Sequence, residues 1–94
     1  MKHFILVRFN DKAIGVNVVD DMKNFFEDAK KIKGVNDVTV SKCAVKFPNR
    51  FDSMITITFA NEADLMSFED SSFNHAFKKQ FGPYFSTKVL YDED

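Results

Sequence analysis

Lys2-His3-Phe4-Ile5-Leu6-Val7-Arg8-Phe9 reads as a β-strand, closed by the turn signal Asn10-Asp11, and it is largely apolar on both faces. Successive side chains of a strand point to opposite sides. His3, Ile5, Val7 and Phe9 therefore share one face, and Phe4, Leu6 and Arg8 share the other. A strand with one face in water alternates cleanly between apolar and polar residues. This one does not, so its sheet needs a cover on each side.

The next segment supplies one cover. Between Asn17 and Lys33 the residues Val18, Val19, Met22, Phe25, Phe26, Ala29 and Ile32 follow the spacing of an amphipathic helix, with acids early and lysines late. Asn17 is placed to cap its start and Gly34 to end it. Val35–Val45 reads as a second strand whose apolar phase changes near Ser41-Lys42, which predicts a bulge or bend there. Lys46 to Asp52 is a loop around Pro48-Asn49, and Ser53–Phe59 is a third strand, with Ile55, Ile57 and Phe59 opposite Met54, Thr56 and Thr58. Asn61 caps a helix containing Ala63, Leu65, Met66 and Phe68. Ser71-Ser72 interrupts it, a second short helix runs over about Phe73–Phe81, and Gly82-Pro83 ends that one. Phe85–Tyr91 is the last strand.

The order is β-α-β-β-α-β, an α+β domain of ferredoxin-like type spanning residues 1–94, with a four-stranded antiparallel sheet and its helices on one face. The uncovered face would then carry Phe4, Leu6 and Met54. Either a second copy packs on it sheet to sheet about a two-fold axis, or a loop or the chain terminus lies over Phe4 and Leu6. Twelve phenylalanines exceed what a small core usually holds, which also points to a second buried surface or a ligand pocket.

The formal net charge is −1, and Lys23, Lys30, Lys31 and Lys33 are interleaved with Asp20, Asp21, Glu27 and Asp28, so no concentrated positive field for nucleic acid is present. Asp92, Glu93 and Asp94 read as a solvated tail. The single cysteine, Cys43, permits no intrachain disulfide. The N-terminus lacks the long apolar core of a signal peptide, and no apolar run approaches the roughly 20 residues that span a bilayer. A cytoplasmic protein with no membrane contact is the expectation.

In order and spacing, these segments resemble the stress-responsive A/B barrel family, also called Dabb. The opening Met1-Lys2-His3-Phe4-Ile5-Leu6-Val7-Arg8-Phe9 is similar to that family's first strand, Gly34-Val35 to the start of its second, and Ile55-Thr56-Ile57-Thr58-Phe59 to its third. The acidic helix start, then His75, Phe77 and Pro83, match the remainder. The resemblance implies protomers whose sheets face each other in a dimeric α/β barrel. Activity is not implied by the fold, since related barrels include monooxygenases and polyketide cyclases. The family often carries two histidines before its second short helix. In Ser71-Ser72-Phe73-Asn74-His75 only the second is present, and Glu69 stands where a plant cyclase of the family has its catalytic tyrosine.

His75 is the best candidate for acid–base chemistry, expected near the mouth of the helix–sheet cleft; the alternative is a structural histidine beside Asn74. If the His3 face meets the helices, His3 and His75 could share a pocket; otherwise His3 is a satisfied residue at a strand end. Tyr84 could offer a hydroxyl to the same cleft or simply pack. No metal or cofactor is expected, because two histidines without an acid cluster are a poor ligand set. Cys43 reads as a buried thiol. The phenylalanines Phe25, Phe26, Phe68, Phe73, Phe77, Phe81 and Phe85 read mostly as core at helical spacing, and among them Phe25, Phe68, Phe77 and Phe81 are the ones expected to line an apolar ligand pocket. Two functions follow: a homodimer holding a small apolar or aromatic ligand, or a small cofactor-free enzyme, cyclase-like or monooxygenase-like, using His75.

Overall fold

The computed structural model describes all 94 residues. In chain order its main elements are β1 (Lys2–Phe9), α1 (Val18–Phe26), β2 (Val35–Lys42), β3 (Ser53–Phe59), α2 (Glu62–Glu69), α3 (Ser72–Phe81) and β4 (Phe85–Glu93). The strands form one antiparallel sheet in the order β2-β3-β1-β4. The central strand β1 places Ile5 and Val7 in the core, where they are 3% and 0% exposed. Its neighbour β3 does the same with Ile55, Ile57 and Phe59. α1 packs over β2 and α2 over β3, with α3 beside both helices.

Capping explains the boundaries of α2 and α3. Asn61 accepts the Asp64 amide at 2.9 Å, and Ser71 Oγ accepts the Asn74 amide at 3.1 Å, each satisfying an orphan donor of the first turn. Gly34 has φ +86° in the turn before β2, and a β-carbon there would run into the Asp64 side chain. Glycine therefore answers both a backbone and a packing requirement at that position.

Four local expectations are corrected. α1 stops at Phe26, and the chain continues as a tighter 3₁₀ turn, Glu27–Lys31, which still buries Ala29. Asn17 makes no capping bond from its side chain. β2 ends at Lys42; its register shift lies between Val35 and Asp37, not near Ser41. The acidic terminus is not a free tail either: Asp92 and Glu93 belong to β4 and pair with His3 and Lys2.

The other face of the sheet has no helix over it. Rows of directly opposed residues cross it: Met54, Leu6 and Val89, then Thr56, Phe4 and Tyr91. Met54, Val89 and Tyr91 are 37%, 43% and 58% exposed, and Phe4 and Leu6 are half-buried. A loop reaches this face only at one end. There the Arg8 guanidinium lies 4.9 Å above the Phe51 ring and donates to the Pro48 carbonyl at 3.1 Å.

Candidate functional site

The space between helices and sheet is filled with rings. Phe26, Phe59, Phe68, Phe77 and Phe81 are all at 2% exposure or below. Phe25 sits at the margin, with ring centroids 4.6 Å from Phe73 and 5.5 Å from Phe81, in the tilted and edge-on geometries that aromatic quadrupoles favour. The expected ligand pocket lined by Phe25, Phe68, Phe77 and Phe81 is thus occupied by those side chains themselves. Only Phe77 borders a cavity, and it is a shallow one beside β4.

His3 and His75 are not brought to one pocket. His3 lies on the helix side of β1, 3% exposed, with Nδ1 at 2.5 Å from Oδ1 of Asp92 on β4. The two residues are directly opposed in the β1–β4 ladder, so the sheet register creates this pair. His75 is on the exposed side of α3; its backbone N–H donates to Ser71 O at 3.1 Å, and its side chain borders no cavity. Tyr84 is half-buried, packs against the core, and accepts the Asn10 amide through its carbonyl at 2.8 Å. No cluster of three or more His, Cys, Asp or Glu side chains is arranged to hold a metal ion.

The open space lies elsewhere, around the loop between β2 and β3. A cavity of about 240 Å³ separates the start of α1 from that loop and includes Phe9, Val18, Val19, Cys43, Phe47 and Phe51, together with Lys42, Lys46 and Arg50. Asp52 shapes it. Its Oδ2 accepts the Phe9 amide at 2.7 Å, its own amide donates to Val7 O at 2.9 Å, and its carbonyl accepts from Cys43 N at 2.9 Å. These bonds tie the loop to the end of β1. Arg50 donates to Asn49 Oδ1 at 2.6 Å and stands 5.8 Å from the centre of the Phe47 ring. A second cavity of about 330 Å³, on the open sheet face, is bounded by Leu6, Ser41 and Met54 and shares Cys43, Arg50 and Phe51 with the first. The thiol of Cys43 is half-exposed and donates to Val45 O at 3.2 Å, so it is not the buried group expected.

Two features escaped the sequence reading. One is the part this loop plays as a cavity wall, whose signal was Val45, Phe47 and Phe51 in a segment that forms no strand. The other is Lys88 on β4. Partial burial, and then the nearby Lys78 cation, lower its pKa, while Glu69 pulls the other way. Lys88 borders the shallow cavity beside Phe77 and Phe85.

Comparison with known proteins agrees with this architecture. The stress responsive A/B barrel domain matches residues 1–93. A dimeric ferredoxin-like protein of unknown function from Bacteroides fragilis NCTC 9343 superposes with a TM-score of 0.82 at 16% identity, covering 99% of this chain and 93% of that one. The hydroxynitrile lyase of Passiflora edulis gives 0.78 at 17% identity, covering 96% and 87%. A Dabb-family protein from Mesorhizobium loti gives 0.69 at 18% identity, covering 99% and 93%. At such identities these likenesses establish the fold alone. No curated protein matches the chain. With the domain match running along nearly its whole length and the sheet and helices in the corresponding arrangement, the chain belongs to the stress-responsive A/B barrel (Dabb) family.

Proposed function

We propose that this protein is a non-catalytic homodimer that joins through its open sheet face and binds a small apolar or aromatic ligand in the cavity beside the start of α1. The observation that carries the binding reading is the ring-filled interior. With His3 held by Asp92 and His75 on the outer side of α3, the two histidines do not face a common reacting point. The Passiflora lyase has the same fold, but an activity resides in a site and not in a fold, and nothing here pairs His75 with a second acid or base. The ligand position moves from the filled helix–sheet interior to the cavity that remains open beside it. The single free thiol and the want of any helix long and apolar enough to cross a membrane fit a cytoplasmic setting. The family's name suggests a connection with stress.

Support for the dimer comes from the apolar rows on the open face and from fold relatives described as dimeric. Two sheets packed face to face would bury Phe4, Leu6 and Val89 of each protomer in an isologous interface. Leu6→Glu places a charge at the centre of that contact. Light scattering of the wild type should give the mass of two chains and the variant that of one; a variant that remains dimeric would sink the interface. For the binding reading, His75→Ala should leave the melting shift produced by octanol unchanged. Loss of that shift would return His75 to the site.

A further inference from the structure

The cavity beside α1 changes character from its depth to its mouth. Val18 and Val19 at its wall are buried, Phe9 and Phe51 are half-buried, and Lys42, Lys46 and Arg50 are exposed. None of these three cations is in an ion pair; the ion pairs of the molecule are His3–Asp92, Lys30–Glu27 and Lys31–Asp28. Two carboxylates border the same cavity. Asp52 is committed to the Phe9 amide, and Asp20 lies in the first turn of α1, where the helix dipole favours a negative charge. Three cations against two carboxylates leave a local excess of one positive charge, in a chain whose formal net charge is −1. The surplus matches a monoanion. At about 240 Å³ the space falls below the roughly 300–1,000 Å³ of sites for drug-sized ligands, so the partner is small.

Resting on the reading that this cavity is the ligand site, we propose that it selects a small carboxylate with a short apolar tail. The tail lies among Phe9, Val18, Val19 and Phe51, and the head is held by Lys46 and Arg50. The Arg50 fork is suited to a planar carboxylate, and its stacking on Phe47 holds it at the mouth. A purely apolar ligand would leave these cations unused, and a dianionic head would exceed the local charge.

The full-length protein, labelled with nitrogen-15, is titrated with hexanoate, hexanol and hexyl phosphate at low salt while amide shifts are followed. Hexanoate should move the Val18, Val19 and Phe51 amides and bind about tenfold tighter than hexanol, the order of advantage of charge-assisted contacts. Near 1 M salt, where the screening length shrinks to about 3 Å, the two should converge. The exposed substitutions Lys46→Gln and Arg50→Gln together should remove the same advantage without disturbing the remaining spectrum. Equal binding of hexanol and hexanoate overturns the carboxylate assignment and leaves the apolar site standing. Tighter binding of hexyl phosphate overturns the monoanion. If no probe moves those amides, the cavity is not the ligand site and both readings fall.

Discussion

The two faces of the sheet are made from the same strands with similar apolar side chains, and they end in opposite conditions. On β1, Ile5 and Val7 are sealed beneath the helices, while Phe4 and Leu6, one residue out of phase, are only half-buried. Hydrophobicity alone does not separate the two sets. All three helices return to the same side, and the β2–β3 loop reaches the other only at one end. Burial is therefore set by which surface the connections can reach, and the surplus apolar face is the one proposed to meet a second chain. The two faces differ in chemistry as well. The covered one is filled by aromatic rings, whereas hydroxyl residues such as Thr39, Thr56 and Thr58 share the open one with its apolar rows. Such a mixture suits an interface more than a protein interior.

This contrast can be broken most forcefully from the covered side. Phe77→Ala opens a cavity where the ring is 1% exposed and touches Phe26, Phe81 and Phe85, and it should cost about 3–5 kcal/mol in chemical denaturation. A cost below about 1 kcal/mol would mean that the helix–sheet interior is not a rigid packed layer. Next comes the seam where the covered face meets the edge strand. Asp92→Ala leaves the buried His3 ring nitrogen without its partner and should cost about 1–3 kcal/mol. Amide exchange should then report fraying of β4 from β1 before the rest of the sheet opens. An unchanged exchange pattern would show that the terminal strand does not depend on this pair.

The smallest effect expected belongs to Lys88, further along β4 on the helix side. Its folded-state pKa is lowered by partial burial and by Lys78, so folding disfavours its charged form. Between that lowered value and the usual 10.5, the unfolded chain holds a proton that the folded chain has released, and stability rises with pH across this window. Below it both states are protonated and the penalty is constant. Lys88→Met should flatten the alkaline rise and slightly raise stability at neutral pH. A rise that persists in the variant would locate its cause in another group.

Much of the fold was legible in residue spacing. Alternation gave the two faces of β1 and β3, Asn61 marked the start of α2, and Ser71-Ser72 marked the break before α3, because strand pleat and helix capping are local properties of adjacent residues. Misreadings occurred where a local pattern admits two backbone solutions. The stripe through Ala29 and Ile32 is served as well by a 3₁₀ turn as by a continuing helix, and an acidic terminus can be a tail or the end of a strand. The candidate site was less legible. His3 and Asp92 are 89 positions apart and meet only because β1 and β4 pair in one register. The open cavity arises where the β2–β3 loop folds against the start of α1, an encounter that no spacing within either segment records.

By itself, then, the sequence determined the elements, their order, and a sheet apolar on both sides, since those follow from interactions within a few residues of one another. Only the tertiary structure decided that the phenylalanines close the interior, that His3 is bound and His75 faces outward, and that the open space gathers Arg50 and Phe51 beside Val18. Each of these depends on which distant segments are pressed together, and that is settled by packing of the whole chain.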